Sequence, residues 1–238
     1  MYLGVDEAGK GPVLGPMVSA AVLADPARLP AAVDDSKRLT PARRKTIDEA
    51  IRNATAVVIG IATVEPSEID RPDTDMNTLT VSGQARAVQA ALATAVERRD
   101  ESDLREEPIR VVADAGDTSE ARFARRLHEF VTDRTERDDS ALPAVDIEAA
   151  HGADAEDPVV GAASVVAKVA RDARMADIDA LYSDYCDVGS GYPSDPATRT
   201  FLRTYVADNG DVPDCARRSW ATCTDVLAAA AQSELDEF

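Results

Sequence analysis

The sequence predicts an α/β protein in which a mixed sheet is flanked by helices and followed by a helical C-terminal appendage. Two observations support this prediction. Short runs rich in Val, Ile and Ala alternate with longer segments whose apolar residues recur at helical spacing. Beyond residue 182 the chain becomes rich in Gly, Pro and Asp and then helical, with no strand pattern. We therefore expect a sheet domain over residues 1–182 and a helical subdomain with a tail over residues 183–238.

The individual elements follow from local signals. Apolar, often β-branched runs predict strands over residues 2–6, 12–24, 55–64, 109–113 and 144–148, the third of them buried. Helical spacing predicts helices over residues 41–53, 76–99 and 119–131, and a long helix from residue 158. Thr40 before Pro41 marks one helix start, and Asp157 before Pro158 marks another. The polar segment 133–142 is expected to be a solvated loop.

Negative charge dominates the composition. The 238 residues include 26 Lys+Arg and 44 Asp+Glu, a formal net charge of −18, and the basic residues are 22 Arg but only 4 Lys. At about 1 M salt the Debye length is only ~3 Å, so such an acidic surface is tolerated and keeps a protein in solution. We infer a salt-accumulating host, the alternative being an ordinary acidic protein.

Several classes of protein are disfavoured by what the sequence lacks. No apolar run reaches the roughly 18 residues of a membrane span, and the first residues form no basic, signal-like segment. The three cysteines, Cys186, Cys215 and Cys223, have no CxxC spacing, so neither a disulfide framework nor a zinc site is indicated. We expect a cytoplasmic monomer with no membrane partner.

Four carboxylates stand out by their positions. Asp6 ends one predicted strand and is followed by Glu7, and Asp114 ends another strand. If these strands are parallel neighbours, their carboxylates meet at one edge of the sheet, which Asp154 could reach from a loop. Acids that converge without basic partners need a cation. Oxygen ligands without histidine favour Mg²⁺ or Mn²⁺ over zinc.

Seven segments in fixed order cover almost the whole chain: DEAGKGPVLGP at residues 6–16, DSKRLT at 35–40, VADA at 112–115, HGAD at 151–154, the stretch 158–172, GYPSDP at 191–196 and RSW at 218–220. The first is highly specific, and DSKRLT and GYPSDP are moderately so. Together and in this order they resemble the ribonuclease HII family, the type 2 ribonucleases H, in an arrangement similar to its archaeal branch.

The resemblance implies a ribonuclease H-like fold and an endonuclease for the RNA strand of RNA/DNA hybrids. It also implies cutting on the 5′ side of single ribonucleotides in duplex DNA. The implied catalytic and metal-binding acids are Asp6, Glu7, Asp114 and Asp154, which would hold two Mg²⁺ or Mn²⁺ ions. Two ions about 4 Å apart can activate a water and stabilise the leaving 3′ oxygen, giving 3′-hydroxyl and 5′-phosphate ends. Residues 1–182 would then be the catalytic domain and residues 183–238 the substrate-binding subdomain.

Substrate contacts are implied within the same segments, at Gly9, Lys10, Gly11, Ser36, Lys37, Lys168 and Tyr192. Amides of the glycine turn could bond a ribose 2′-hydroxyl, although a plain turn between strands is the alternative. Tyr192 would stack on the sugar after the ribonucleotide, unless it covers the core. Three of the four lysines lie in these segments, where phosphates would be met.

Two other functions remain open on the sequence alone. A resolvase- or transposase-like nuclease would share the acids but would need neither the glycine turn nor Tyr192. A catalytically silent hybrid-binding module is disfavoured by the four intact acids. Asp117 and Asp157 are interpreted as ordinary surface acids. His151 is interpreted as an ordinary surface histidine, with a proton shuttle as the alternative.

The last residues carry a further motif. Gln232, Leu235 and Phe238 have the spacing QxxLxxF, which resembles the peptide that replication and repair enzymes use to bind a sliding clamp. In one helical turn Leu235 and Phe238 lie on the same side and could fill an apolar pocket. The alternative is a helix end that covers the protein's own core.

Overall fold

Residues 1–30, 40–98, 107–137 and 142–236 are described by the structure, a computed structural model. The strands are β1 (Tyr2–Ala8), β2 (Met17–Ala24), β3 (Val58–Val64), β4 (Ile109–Asp114) and β5 (Val145–Ala150). The helices are α1 (Pro41–Asn53), α2 (Pro66–Ile69), α3 (Met76–Arg98), α4 (Glu120–Arg137), α5 (Ala153–Glu156), α6 (Pro158–Leu181), α7 (Pro196–Asn209) and α8 (Ala221–Asp236). Over these described ranges, every helix is too short or too polar to cross a membrane.

The strands form one mixed sheet in the order β3-β2-β1-β4-β5. Strand β1 is antiparallel to β2 and parallel to β4, and β4 is parallel to β5. The predicted fold class, a mixed sheet flanked by helices, is therefore confirmed. The register sets Val5 opposite Ala113, so the central parallel strands β1 and β4 carry their next residues toward the same edge of the sheet.

The described chain divides into two compact units. Unit 1 comprises Met1–Ala8, Val18–Thr63 and Met76–Ala170, and unit 2 comprises Gly9–Met17, Val64–Asp75 and Arg171–Phe238. The division at residues 182 and 183 into catalytic and substrate-binding parts concerns function and stays a prediction.

In unit 1 both faces of the sheet are covered by helices. One face packs on α3 and α4 through Leu3, Val5, Val81, Val88, Phe123 and Leu127. The other face packs on α1 and the first half of α6 through Ala20, Val22, Ile47, Ile51, Val159 and Val166. Helix α6 approaches β1 so closely that a Cβ on Gly4 would lie 2.4 Å from the backbone nitrogen of Val160, which explains glycine there.

Unit 2 has its own apolar core. It is built from Val13, Leu14, Met175, Val188, Phe201, Leu202, Cys215 and Cys223. An isolated bridge pairs Leu14 with Ala216, and the Gly15 amide donates to the Cys215 carbonyl at 2.8 Å. These bonds fix the segment that follows Ala8 onto the C-terminal part of the chain, within unit 2.

Three local expectations differ from the structure. Strand β3 begins at Val58 and lies at the edge of the sheet, with Ile61 exposed, so the expected buried strand is wrong in its burial. Helix α4 runs on to Arg137 rather than ending before a loop at residue 133, because Glu and Arg are good helix formers. Asp154 lies in the single turn α5, not in a loop.

Candidate active site

Asp6 and Asp114 lie at the same edge of the sheet, as predicted. They are the residues directly after the paired Val5 and Ala113 of the parallel strands β1 and β4. Asp6 is 5% exposed. Burial, followed by the charges of Glu7 and Asp114, raises the pKa of the Asp6 carboxyl well above its usual value. Hydrogen bonds from Ser164 and from the Glu7 amide at 2.7 Å act in the opposite direction.

Glu7 lies on the opposite face of β1 from Asp6, because side chains alternate along a strand and β1 continues past both residues to Ala8. The sequence indicated that this strand ends at Asp6, but in the structure it continues to Ala8. On the Glu7 face, the amide Nε2 of Gln84 from α3 donates to Oε2 of Glu7 at 2.6 Å. The same Nε2 lies 3.0 Å from the carbonyl oxygen of Asp114. Gln84 thus bridges β1 and β4 beneath two of the acids.

Gln84 is a functional candidate that the sequence reasoning missed. It is fully buried and lies on the same helical face as Val81, Ala85 and Val88. The sequence did contain a signal for Gln84, because a polar residue on an apolar helical face needs a hydrogen-bond partner when that face is buried. The sequence alone did not say which partner that is.

Asp154 and Lys168 lie beside each other, close to Ser164, which is a hydrogen-bond partner of Asp6. The Nζ of Lys168 is 4.0 Å from Oδ2 of Asp154 and donates to the hydroxyl of Ser164 at 2.7 Å. Ser164 in turn is a hydrogen-bond partner of Asp6. Ser164 and Lys168 are four residues apart on α6, so one helical face supplies both groups. The structure therefore connects Asp154 to Asp6 through Lys168 and Ser164.

The four acids do not form a closed ligand shell in this structure. Within the described ranges, no three Asp, Glu, His or Cys side chains are close enough together to hold an ion as they are placed. The donor set is nevertheless suited to a hard cation. It is made of carboxylate oxygens. The charges of Glu7 and Asp114, which add to burial in raising the pKa of Asp6, would be compensated by a bound cation.

Asp117 and Asp157 have structural partners. Arg122 pairs with Asp117 and is the main reason that the pKa of this carboxyl falls to about 2. Oδ1 of Asp157 accepts from the amides of Val159 and Val160 at 2.8 and 3.0 Å, which caps the start of α6. Asp117 is buried, so the expected surface position is wrong for it, and both acids have structural partners.

His151 is also held by structural contacts. Its Nε2 donates to the carbonyl of Asp117 at 2.7 Å, and its Nδ1 lies 2.9 Å from Oε1 of Glu120. These acceptors raise the pKa of the imidazole, the Asp117 carbonyl having the largest effect. In the protonated ring both nitrogens are donors, which matches the two acceptors. This arrangement supports the structural interpretation over the proton shuttle.

The glycine turn and Tyr192 lie together in unit 2. Gly9 has φ +88°, a value that favours glycine. A Cβ on Gly11 would lie 3.8 Å from Cε1 of Tyr192, and Tyr192 is 42% exposed. The guanidinium of Arg171 lies 5.6 Å from the centre of the Tyr192 ring. An exposed aromatic ring next to the exposed Gly11 is suited to contact a sugar or base.

Some predicted residues lie outside the described part of the chain. Ser36 and Lys37 fall between residues 31 and 39, and Phe238 and the side chain of Leu235 fall at the other end. Gln232 is described and is exposed on α8.

The sheet and its edge of acids define a ribonuclease H-type nuclease, and solved structures share this fold. The chain matches ribonuclease H2 from Pyrococcus horikoshii OT3 with a TM-score of 0.77 and 31% identity, over 97% of this chain and 98% of that one. It matches ribonuclease HII from Archaeoglobus fulgidus, solved in a PCNA:RNase HII complex, with a TM-score of 0.75 and 31% identity, over 95% and 96% of the two chains.

Sequence comparison identifies the family. The ribonuclease HII family model matches residues 3–223. Ribonuclease HII of the halophilic archaeon Haloarcula marismortui is 51% identical over 238 residues, 100% of both chains. The chain belongs to the ribonuclease HII family, which are endoribonucleases that act on RNA/DNA hybrids. The predicted family is confirmed, and the halophilic relative agrees with the salt-adapted composition.

Proposed function

We propose that this enzyme hydrolyses the RNA strand of RNA/DNA hybrids and also nicks duplex DNA on the 5′ side of single ribonucleotides, leaving 3′-hydroxyl and 5′-phosphate ends. The observation that carries this proposal is the group of acids at the ends of β1 and β4, where burial and the charges of Glu7 and Asp114 raise the pKa of Asp6. Such acids, in a chain of this family, are suited to metal-dependent phosphodiester hydrolysis.

The acids Asp6, Glu7, Asp114 and Asp154 would hold divalent metal, Mg²⁺ or Mn²⁺. When bound, a pair of such ions supplies a nucleophilic water and stabilises the leaving oxygen. The chain's own residues set up this chemistry. Gln84 holds Glu7 in place through its 2.6 Å bond. Lys168, 4.0 Å from Asp154, carries a positive charge that a substrate phosphate could meet.

Ribonucleotide recognition is proposed for unit 2. Amides of the turn at Gly9, Lys10 and Gly11 would donate to the 2′-hydroxyl, the group that distinguishes RNA from DNA. Tyr192 would stack on the following sugar, where a 2′-hydroxyl would obstruct it. Its exposure of 42% and its closeness to Gly11 support this role. Ser36 and Lys37 keep their proposed substrate contacts.

One cleavage assay separates this function from its alternatives. The protein is incubated in molar KCl with Mg²⁺ or Mn²⁺ and a DNA duplex that carries one ribonucleotide. A nick on the 5′ side of the ribonucleotide, with the stated end groups, is the expected result. Cutting of branched all-DNA substrates instead would identify a resolvase-like nuclease. Binding of the duplex without cutting would identify a silent hybrid-binding module.

We also propose that the C-terminal residues Gln232, Leu235 and Phe238 bind a sliding clamp. The solved A. fulgidus ribonuclease HII, in a complex with PCNA, supports this proposal, as does the exposure of Gln232 on α8. Removal of residues 232–238 should abolish the heat of binding to the host's clamp in molar salt. Melting temperature and cleavage of short duplexes should not change. A lower melting temperature, with no heat of binding for the intact protein, would mean that the tail only packs on the enzyme.

A cytoplasmic location is part of the same proposal. Cys186, Cys215 and Cys223 are all free thiols in the structure, as is usual for proteins of a reducing compartment.

A further inference from the structure

Arg217 is a buried arginine beneath the glycine turn of unit 2. It is 0% exposed. Its Nη2 donates to the Gly9 carbonyl at 2.5 Å, its Nη1 to the Lys10 carbonyl at 2.8 Å, and its Nε to the Gly15 carbonyl at 3.1 Å. One guanidinium can hold three carbonyls because its five N–H groups form a rigid planar fork.

Trp220 completes the same set of bonds. Its indole Nε1 donates to the Gly11 carbonyl at 3.4 Å, and the Arg217 guanidinium lies 5.2 Å from the centre of the Trp220 ring. The carbonyls of Gly9, Lys10 and Gly11 are therefore all directed toward one pair of donors.

The direction of these carbonyls fixes the direction of the amides. The described chain contains no cis peptide bond, and in a planar trans peptide the N–H points opposite to the C=O of the preceding residue. Since the carbonyls of Gly9 and Lys10 point to Arg217, the N–H groups of Lys10 and Gly11 point away from it. Two consecutive donors thus face the side of the turn on which Arg217 does not lie.

Arg171 is a second buried arginine at this place. It is 6% exposed, and its Nη2 lies 3.3 Å from the Ser190 carbonyl, directly before the Gly191-Tyr192 turn. A Cβ on Gly9 would lie 2.3 Å from Nε of Arg171, so only glycine fits. Burial, and then the neighbouring Arg171, lower the pKa of Arg217 to about 10. The Arg217 guanidinium therefore stays charged at neutral pH.

We infer that Arg217 is a positioning residue for ribonucleotide recognition: it holds the peptide planes of residues 9–11 so that the Lys10 and Gly11 amides are presented together to a ribose 2′-hydroxyl. The inference rests on the proposed function, because it assigns a cause to the selectivity of the same turn. A lysine cannot replace Arg217, since an ammonium group is a point donor and cannot reach three divergent carbonyls in fixed geometry.

The test compares Arg217→Lys and Arg217→Gln with the wild type in molar KCl and Mn²⁺. The substrate is a DNA duplex with one ribonucleotide, and the competitor is the all-DNA duplex of the same sequence. The kcat/KM includes the 2′-hydroxyl contact, whereas the Ki of the competitor does not. We expect both variants to lose at least about tenfold in kcat/KM while Ki changes by less than about twofold.

The neighbouring Arg218 provides a matched control, because its side chain pairs with Asp211 at the surface instead of with the glycine turn. Arg218→Gln should change neither kcat/KM nor Ki. Full activity in Arg217→Lys would overturn the inference, because charge alone would then suffice. A rise in Ki that equals the loss in kcat/KM would also overturn it, because the effect would not depend on the 2′-hydroxyl.

If the Arg217 variants do not melt cooperatively, a second variant tests the inference. Trp220→Leu removes the ring that lies 5.2 Å from the Arg217 guanidinium, and so loosens the group that holds the Gly9 and Lys10 carbonyls. A lower kcat/KM with unchanged Ki would support the inference, and an unchanged kcat/KM would overturn it. If the wild-type protein does not cut this duplex, both the proposed function and the inference are overturned. If the wild type is active and the variants have the same kcat/KM and Ki as the wild type, only the inference is overturned.

Discussion

Replacing Asp6 with Asn should stabilise the metal-free protein while abolishing cleavage. In the folded state Asp6 is buried beside Glu7 and Asp114, and these surroundings raise the pKa of its carboxyl. Between the unfolded value of about 4 and the raised folded value, the folded protein holds more protons than the unfolded chain. Stability of the wild type therefore falls as pH rises through this interval. The uncharged amide of Asp6→Asn removes this pH dependence.

The magnitude follows from two opposing effects. A buried charge without compensation costs about 3–5 kcal/mol, and the substitution removes this cost. The amide accepts the bonds from Ser164 and from the Glu7 N–H less well than a carboxylate does, which costs about 1–2 kcal/mol. Where the Asp6 carboxyl of the folded wild type is ionised, the net gain is then about 2 kcal/mol. For a chain of this size, that raises the melting temperature by about 4–8 °C.

Calorimetric melting in molar KCl with EDTA measures the predicted stabilisation, a second melt with Mn²⁺ measures the loss of metal binding, and the single-ribonucleotide cleavage assay measures the loss of activity. Wild type should be stabilised by Mn²⁺ through mass action, and Asp6→Asn should gain much less. Asp117→Asn is the matched control, because Arg122 lowers the pKa of Asp117 to about 2. The contribution of Asp117 to the stability of the folded protein is complete above about pH 4 and is lost as pH falls toward 2. At neutral pH the Asp117→Asn variant should therefore be less stable than the wild type, while Mn²⁺ raises its melting temperature as much as it does for the wild type. An Asp6→Asn protein that melts below wild type in EDTA, or that gains as much from Mn²⁺, would refute the reasoning.

Three further predictions concern other parts of the molecule. Gln84→Leu should weaken Mn²⁺ binding by about 10–100-fold in calorimetry, because it removes the donor that orients Glu7. Gln89→Leu is the control, because Gln89 lies on the same helix but donates to carbonyls of α4; this variant should bind Mn²⁺ as the wild type does. Equal Mn²⁺ affinities for the two variants would contradict this role of Gln84. Tyr192→Ala should lose more cleavage rate on a single embedded ribonucleotide than on a long hybrid, and equal losses would make Tyr192 structural. Melting temperature and cleavage rate should both rise with KCl into the molar range, and an enzyme most stable in dilute buffer would remove the argument for salt adaptation.

The strands and helices that local patterns define were predictable from sequence. Thr40 does accept from the Arg43 amide at the start of α1, and the long helical stripe of α3 extends over Met76–Arg98. The order of the strands was not predictable, because pairing depends on contacts between distant residues. For this reason β3, with its apolar and β-branched sequence, gave no sign that it lies at an edge.

The acids of the candidate site were predictable for a physical reason. A carboxylate directly after an apolar strand needs an explanation, and Asp6 and Asp114 share this feature. Gln84 and Ser164 show the limit of such reasoning, since each is a buried polar residue in an apolar helix. Their partners lie on β1 and β4, so only the fold reveals them. Arg217 gave no sequence signal for burial, because its burial depends on the glycine turn more than 200 residues away.

The placement of positive charge reconciles a net charge of −18 with a polyanionic substrate. At molar salt, exposed charges more than ~3 Å apart hardly interact, whereas buried charges are screened much less. Surface lysines would therefore contribute little attraction for phosphate, and the chain has only four. Arg171 and Arg217 keep their charges out of the solvent beneath the glycine turn, and Lys168 is 30% exposed next to Asp154. Positive charge of this kind persists in concentrated salt. Under the proposed function, these partly buried cations would attract the nucleic acid while the acidic surface maintains solubility.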